Sequence, residues 1–578
     1  MADLLIEVGC EELPTWALRL VLDRLREEIP RLFSDWGLTY DRLELMGTPR
    51  RIVILMDGVP ERQSDRTELV TGPPRRAAFD AEGKPTKAAA GFAAKCGVDI
   101  SALQVQQTAK GEYLAYEKRL KGQQTAALLD GALGGALAGM QFKKPMHWSP
   151  DRYVFIRPIR WILALLGSEV MPLRIAGVDS GNRTNGHRFL GQRGITVQNR
   201  AEYLSRLRAS YVIVSPDERS RIIREQLSEK ARSLGGRVHR DDELMQEVLY
   251  LNEYPHVVWG SIAQEFLTLP SEVLMTVMRK HQKYFSVEDD AGTMLPYFLA
   301  VTDIESDEKG VVRRGHERVL KARLNDAAFF WKVDTEKPLE SRLAALQQYQ
   351  FHVKLGSYLE KTRRIESLAQ KLLSSIPRGE FLAGPVAQAA RLAKADLATE
   401  MVKEFTDLQG VMGGLYARRE GLPEAVWKAI YDHYLPRNLE EESPRNLEGA
   451  ILSIADRADT LAGCFGIGMA PKGSSDPFAL RRHAQGLIKI LWDHRLSLSL
   501  EHTLDAALQE ASPKIGPVSP ETMDKLRAFF EQRLRYMLQQ RGCPYDVVNA
   551  VLVVGSDLPL DVLDRALAVQ KIRGETDF

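Results

Sequence analysis

The first 300 or so residues alternate between strand-like and helix-like hydrophobic patterns. Short apolar runs at 4–9 ("LLIEVG"), 50–58 ("RRIVILMDG") and 296–303 ("PYFLAVTD") predict buried strands. Apolar residues at helical spacing between Pro14 and Gly37 predict a helix. This part of the chain is therefore expected to be mixed α and β.

Three further segments of this region carry weaker or more local signals. Residues 72–97 predict a loop followed by a helix of small residues. The capping box "SPDE" at 215–218 predicts the start of a helix that ends at Gly235–Gly236. Segment 153–167 mixes strand and helix patterns, and the sequence leaves its structure open.

From about residue 309 onward the pattern is helical, with almost no alternation. The predicted helical segments are 310–332, 336–374, 385–408, 446–462, 476–495, 519–541 and 558–573. The breaks that separate them include 376–380, 435–446 and 512–520. The sequence thus predicts a multidomain α+β protein, with a mixed α/β region at 1–308 and helical domains at 309–500 and 501–578.

The composition is that of a globular protein, and its net charge is close to zero. Of 578 residues, 44% are hydrophobic and 27% are charged, and the net charge is +1. Any binding to nucleic acid must then come from local patches. Four scattered cysteines, an N-terminus without basic residues and the lack of a long apolar run predict a cytoplasmic protein with no membrane association.

Motifs for metals and nucleotides are weak. No histidine pair has the helical spacing of a zinc site, and no P-loop or dinucleotide-binding glycine motif occurs. "MAPKGSSDPFALRR" (469–482) has two interpretations. Gly473–Ser475 could form a phosphate loop before a helix, or Asp476 could cap a helix whose first residue is Pro477; the second is favoured.

Basic residues concentrate in two stretches that are candidates for RNA contact. Residues 141–193 hold nine Lys or Arg against three acids, a net of +6, and 309–332 forms a basic helix near aromatic residues. A solvated helix face explains any single stretch equally well. The candidate tRNA-binding residues are Arg183, His187, Arg188, Arg279, Lys280, His281, Lys283, Arg313, Arg314, Arg318, Lys321, Arg527, Arg533, Arg535 and Arg541.

Many short segments, in one order, resemble the β subunit of bacterial glycyl-tRNA synthetase. They are "LLIEVGCEELP", "GTPRR", "GHRFLG", "FLTLPSEVLMTVMRKHQKYF", "ERVLKARLNDAAFFW", "KLGSYLEKTRRI", "ADLATEMVKEFTDLQGVMG", "ILSIADRADTLAGCFGIG" and "KGSSDPFALRR". The resemblance runs from residue 4 to about 490 and weakens in the helical tail.

The resemblance implies an α₂β₂ glycine–tRNA ligase that joins glycine to tRNA(Gly) with ATP. The α subunit would hold the class II catalytic site and use ATP and Mg²⁺, while the β subunit recognises tRNA and binds no cofactor, metal, membrane or DNA. The front of the chain would be similar to a B3/4 domain, the middle to an HD-type helical domain, and the end to an anticodon-binding bundle. No catalytic residue is expected here, since "RRGHER" (313–318) lacks the Gly-x-Gly spacing of a class II site.

The comparison with HD phosphohydrolases shows a departure in the middle of the chain. The His-Asp pair of that family corresponds to Ala395 and Asp396 after Lys394, and Asp456 stands for the later acid. Without the imidazole too few metal ligands remain, so Asp396 is expected to cap a helix or pair with Lys394 or Arg391. A stand-alone HD-type phosphohydrolase and an RNA-binding scaffold or adaptor remain the alternatives.

Two expectations concern particular segments. "VMRKHQKYFS" (277–286) is interpreted as a helix end whose cations can also contact RNA phosphate, and not as a metal site at His281. In the resembled family a further basic helical segment follows the point where this chain stops. Region 500–578 is therefore expected to be the most mobile, or to lack core packing, and to expose an apolar stripe.

Overall fold

The computed structural model describes residues 1–80, 83–108, 111–148, 152–304, 307–473 and 475–573. The chain forms two compact units, one of residues 1–261 with 283–315 and one of residues 262–282 with 316–578. The first mixes sheets and helices and the second is mostly helical. This confirms the predicted order of a mixed region followed by a helical one.

Strands up to residue 302 belong to the first unit, together with seven helices. The strands are β1 (Ala2–Cys10), β2 (Arg42–Thr48), β3 (Arg51–Val59), β4 (Arg66–Pro74), β5 (Gln104–Thr108), β6 (Gly111–Leu120), β7 (Met146–His147), β8 (Val154–Phe155), β9 (Ile159–Leu166), β10 (Glu169–Val170), β11 (Arg174–Ile175), β12 (Val178–Gly181), β13 (Arg183–Thr184), β14 (Ile195–Thr196), β15 (Arg237–Val238), β16 (His256–Ser261), β17 (Phe285–Glu288) and β18 (Met294–Thr302). The helices are α1 (Thr15–Asp35), α2 (Arg75–Ala78), α3 (Lys87–Cys96), α4 (Thr125–Ala138), α5 (Arg200–Ala209), α6 (Pro216–Ser233) and α7 (Asp242–Leu249).

A seven-stranded sheet forms the centre of the first unit. Its order is β11-β12-β9-β1-β3-β2, with β10 paired to β9. Helices α1 and α4 cover one face, and α5 with residues 212–214 covers the other. Because both faces are buried, β1, β3 and β9 carry continuous apolar runs instead of alternating ones.

The first unit also contains the strand pairs β7-β8 and β13-β14 and two smaller sheets, β15-β17-β18-β16 and β4-β6-β5. The second of these was missed by the sequence analysis. Its strand β5 is almost wholly exposed and β6 buries only two adjacent residues, so neither shows an apolar pattern. Segment 153–167, left open by the sequence, contains the central strand β9.

The described residues of the second unit form helices and one short hairpin, and its long helix α9 begins in the first unit. The helices are α8 (Ser271–Val277), α9 (Val311–Thr335), α10 (Tyr358–Leu373), α11 (Ala383–Leu392), α12 (Glu400–Glu404), α13 (Val411–Arg419), α14 (Glu424–Asp432), α15 (Leu447–Gly466), α16 (Leu480–Asp493), α17 (Leu500–Ile515), α18 (Pro520–Gln540), α19 (Tyr545–Val554) and α20 (Pro559–Ile572). The hairpin strands are β19 (Gln350–His352) and β20 (Gly356–Ser357).

Several predicted helix boundaries are wrong. The predicted helix 336–374 is a 3₁₀ segment at Leu339–Gln348, then the β19–β20 hairpin, then α10. These two strands lie beyond residue 309, where the sequence pattern predicted helices. A capping box of Ser357 and Glu360 begins α10, and this sequence signal was present but not used.

The tail is packed and also exposes apolar side chains. Leu534, Val548 and Ala566 are fully buried, so the expectation that region 500–578 lacks core packing is wrong. Val553 and Val554 are nevertheless 88% and 75% exposed. Within the described part of the chain, no helix is both long and apolar enough to cross a bilayer.

Candidate functional site

A buried lysine lies at the centre of the helical unit. Lys394, which is 1% exposed, follows α11. Its ammonium donates to Asp456 Oδ2 of α15 at 2.5 Å and lies 2.9 Å from Nε2 of His433, just after α14. It also lies 3.8 Å from the centre of the Tyr434 ring. One cation therefore occupies the space between an imidazole nitrogen and a carboxylate.

His433 has the hydrogen-bond pattern of a metal-ligating histidine. Its Nδ1 lies 2.6 Å from the carbonyl oxygen of Ile430, so Nδ1–H donates there and Nε2 accepts from Lys394. Burial and the neighbouring Lys394 ammonium lower the pKa of His433 to about 3, so the ring is neutral. In place of a metal, Nε2 faces the lysine.

A second buried ammonium reaches the same carboxylate. Lys361 of α10 lies 2.9 Å from Asp456 Oδ1 and 2.9 Å from Asp459 Oδ2. Arg364, one helical turn later, donates to Asp459 at 2.5 Å. Burial alone would raise the pKa of Asp456, but Lys361 and Lys394 outweigh it and hold that pKa well below its usual range.

Lys394 stays an ammonium at neutral pH. Burial lowers the pKa of Lys394 to about 8, and attraction to Asp456 offsets part of this effect. Two ammonium groups, those of Lys361 and Lys394, therefore lie beside the Asp456 carboxylate. We name Lys361, Lys394, His433, Asp456 and Asp459 the lysine centre.

The Asp396 carboxylate accepts hydrogen bonds from backbone N–H groups. Its Oδ2 accepts from the N–H groups of Gly410 and Gly413 at 2.6 and 3.1 Å, at the N-terminus of α13. Burial raises the pKa of Asp396 to about 6, although these hydrogen bonds act in the opposite direction. Ala395 is fully buried beside it. The expected partner Arg391 pairs with Glu366 instead.

The lysine centre offers too few ligands for a cation. Among the described residues, no three His, Cys, Asp or Glu side chains come together as a metal site would require. Lys361, His433 and Asp459 were not predicted from the sequence. A usable signal was the run of charges in "SIADRADTLAG", where Asp456 and Asp459 interrupt an otherwise apolar helix.

A second buried network lies in the first unit and joins distant motifs. Arg51 of "GTPRR" is fully buried, lies 3.0 Å from Glu253 Oε1 and 3.6 Å from Glu7 Oε2, and donates to the carbonyl of Asn185 at 2.9 Å. Glu7 also accepts from Tyr203. These charges are paired and inaccessible, so the network holds the fold together instead of meeting a ligand.

Trp161 extends this network along β1. Its indole N–H donates to Glu7 and its ring lies over Gly9. A Cβ on Gly9 would come within 1.9 Å of the ring. The guanidinium groups of Arg50 and Arg51 lie 5.6 and 5.8 Å from the ring centre. Glycine is therefore required where the tryptophan crosses the strand.

The candidate RNA contacts at 183–188 differ in exposure. His187 is 5% exposed, which leaves little surface for RNA. Arg188 forms ion pairs with Glu12 at 2.5 Å and Glu11 at 3.5 Å. Arg183 is exposed on β13. Of these three, Arg183 fits a phosphate contact best.

The "VMRKHQKYFS" segment forms a helix end, as predicted. Helix α8 continues as a π-helical turn at Met278–Gln282, which contains Arg279 and Lys280. His281 packs edge-on against Phe405, with ring centres 5.5 Å apart. Lys280 pairs with Asp407 at 3.3 Å.

Lys283 follows this turn. It pairs with Glu247 at 2.8 Å. Lys280 and Lys283 are thus already paired with acids.

Helix α9 carries the most open basic residues. Arg313 stacks on Trp259 at 4.7 Å, Arg314 donates to the carbonyl of Lys309 at 2.9 Å, and Lys321 pairs with Glu265 at 3.4 Å. Arg318 is exposed, and within the described ranges no ion pair occupies it. This helix is therefore the strongest candidate surface for phosphate.

The candidate RNA-binding arginines of region 500–578 contact acidic, aromatic or amide side chains of the same chain. Arg527 pairs with Glu501 at 2.5 Å and with Asp524 at 3.1 Å. Arg533 and Arg541 stack over aromatic rings at 4.5 and 4.7 Å. Arg535 pairs with Glu531 and donates to Asn549.

The carboxylate of Asp476 accepts from the first two backbone N–H groups of α16. Asp476 accepts from the N–H groups of Leu480 and Arg481 at 2.8 and 2.9 Å. The helix begins at Leu480 after the cap residue Ala479, and not at Pro477 after Asp476 as predicted. The capping carboxylate leaves these amides unavailable to a phosphate.

Known proteins match this chain along its whole length. A family model described as "Glycyl-tRNA synthetase beta subunit" matches residues 4–553. The glycine–tRNA ligase beta subunit of Syntrophus aciditrophicus is 41% identical over 576 residues, covering 100% of this chain and 83% of the relative. Those of Trichlorobacter lovleyi and Acidobacterium capsulatum are both 42% identical, with the same coverage. The chain therefore belongs to the glycyl-tRNA synthetase beta subunit family.

Proposed function

We propose that this chain is the tRNA-recognising subunit of an α₂β₂ glycine–tRNA ligase. An α subunit would hold the site for glycine, ATP and Mg²⁺, and this chain would bind tRNA(Gly) and bring its acceptor end to that site. The chain is a β subunit of an aminoacyl-tRNA synthetase by family. A cytoplasmic location fits this role.

The observation that carries the assignment of chemistry to the partner is the lysine centre. Lys394 fills the space between His433 and Asp456 at 2.9 and 2.5 Å. A phosphohydrolase of the HD type needs those ligands open to a dication and to a phosphate ester. The lysine centre favours a structural role for this domain over a stand-alone phosphohydrolase.

The domain names expected from the resemblance fit this proposal. The sheet-rich first unit would correspond to the B3/4-like part, the helices around the lysine centre to the HD-like part, and α17–α20 to the anticodon-binding-like part. Helix α9, with exposed Arg318, supports RNA contact outside the tail. A pure adaptor for α would not require such a surface.

A salt titration tests the tRNA-binding role. We expect the full chain alone to bind fluorescein-labelled tRNA(Gly), with an affinity that falls steeply as salt rises because phosphate contacts release counterions. The same preparation with Mn²⁺ or Mg²⁺ should not hydrolyse nucleoside phosphates. An absence of tRNA binding, or a metal-dependent phosphatase activity lost in Asp456→Asn, would contradict the proposal.

A further inference from the structure

Helix α9 carries one large aromatic side chain that faces solvent. Phe329 is 61% exposed, whereas Leu320, Leu324 and Ala327 on the opposite side of the helix are buried. It contacts Phe330 edge-on, with ring centres 6.1 Å apart, and its outer face stays open. A single exposed apolar residue is common on proteins, so its neighbours decide what it means.

Those neighbours are mostly basic and polar. Positions three or four apart are neighbours on a helix, which places Asn325, Asp326 and Lys332 beside Phe329. Arg318 lies on the same side of the helix, about 16 Å earlier along its axis. All four are exposed, and among the described residues neither Arg318 nor Lys332 has an ion-pair partner. We name Arg318, Asn325, Phe329 and Lys332 the α9 face.

The α9 face has the composition of a single-stranded nucleic acid surface. The aromatic ring offers a platform for a base, Lys332 can neutralise the phosphate beside it, and Arg318 can neutralise a phosphate farther along the strand. The core of a protein interface is usually depleted in charged residues, whereas here charges surround the ring. Charge complementarity therefore favours a polyanion with exposed bases over an apolar protein partner.

We propose that Phe329 stacks on an unpaired base of the tRNA, while Lys332 contacts the adjacent phosphate and Arg318 contacts a phosphate farther along the strand. This inference rests on the proposed tRNA-binding function and adds to it a defined contact. It assigns to α9 an unpaired segment of the tRNA, such as a loop or the single-stranded end, because a paired base offers no free face.

The test compares exposed phenylalanines in the full chain. The variants are Phe329→Ala, Phe329→Trp and Phe381→Ala; Phe381 is 75% exposed and serves as the matched control. The probes are labelled tRNA(Gly) and a fully paired RNA duplex of similar length, each titrated at several salt concentrations. Co-purification with the α subunit is measured in parallel.

We expect Phe329→Ala to weaken tRNA binding roughly 5- to 100-fold, which is the range for loss of one base stack. Phe329→Trp should retain binding, Phe381→Ala should match the wild type, and duplex binding should not change. The salt slope should be unchanged in Phe329→Ala and should fall by about one unit in Arg318→Ala.

Three results would overturn the inference. The first is equal tRNA affinity of wild type and Phe329→Ala. The second is an equal loss on tRNA and on the duplex. The third is loss of α co-purification with tRNA binding intact, which would make the α9 face a protein interface. If the wild type itself bound no tRNA, the proposed function would fail together with this inference, and that result is distinguishable from the others.

Discussion

Replacing Lys394 by methionine tests the lysine centre most sharply. Methionine has a similar length but no charge, so Asp456 keeps Lys361 at 2.9 Å and loses the ammonium at 2.5 Å. Removing one partner of a buried ion pair costs about 3–5 kcal/mol. Since one ammonium remains, we expect the lower end, a decrease of about 3 kcal/mol in unfolding free energy.

The loss should depend on pH through His433. In the wild type, burial and the Lys394 ammonium keep the pKa of His433 near 3. Below about pH 6.5 the unfolded chain therefore binds a proton at this histidine that the folded state does not bind. Without Lys394 the folded-state pKa of His433 rises, and the protonated ring can donate to Asp456. The destabilisation by Lys394→Met should therefore be smaller at pH 5 than at pH 8.

Hydrogen exchange measured by mass spectrometry locates the effect. Opening free energies of amides in α10, α11 and α15 should fall in Lys394→Met, and urea unfolding at pH 5, 6.5 and 8 gives the magnitude. Lys403→Met is the matched control, since Lys403 is 44% exposed and should change stability by less than about 0.5 kcal/mol. A loss below about 1 kcal/mol, or one that does not vary with pH, would refute this account of the lysine centre.

Three other measurements probe separate parts of the molecule. Unfolding free energy should fall by roughly 1.4 kcal/mol per unit as pH drops from about 6 to 4, because burial lowers the pKa of both His433 and His483 to about 3. Burial raises the pKa of Asp396 to about 6, so its protonation in the folded state cancels one of these two histidine contributions. A urea midpoint that does not change between about pH 6 and 4 would contradict this net pH dependence. Arg51→Met should cost about 3–5 kcal/mol, since it leaves two buried carboxylates without their cation, and unchanged exchange in β1 and β3 would argue against this. Cys96 should react first with a thiol reagent in the native state because the other three cysteines are buried; three or four fast thiols would contradict the packing.

The sequence predicted elements whose signals are local. The runs at 4–9 and 50–58 are apolar throughout because β1 and β3 are buried on both faces. The helix after Ser215 begins where its hydroxyl accepts from the N–H of Glu218. The family resemblance, carried by many short motifs, is confirmed by the match over residues 4–553.

Elements and contacts that depend on distant residues could not be predicted. Lys394 contacts Asp456, 62 residues away in sequence, and His433, 39 residues away. No local sequence pattern therefore predicts the lysine centre. The same distance effect applies to the candidate RNA contact Arg188, because its partner Glu12 lies 176 residues earlier in the sequence.

The exposed sheet β4-β6-β5 was lost for a different reason. Its residues face solvent, so the apolar alternation on which strand prediction depends is weak. The run "AFFW" (328–331) does not by itself show which aromatic ring faces the core. Only the fold shows that one ring of this run points outward.

Glycine-dependent ATP–pyrophosphate exchange tests the central claim most directly. The assay compares this chain alone, the α subunit alone and the two together, followed by glycylation of tRNA(Gly). The account predicts no exchange with this chain alone, exchange whenever α is present, and charging of tRNA only with both subunits. Exchange by this chain in the clean absence of α, or full charging by α without it, would contradict the assignment.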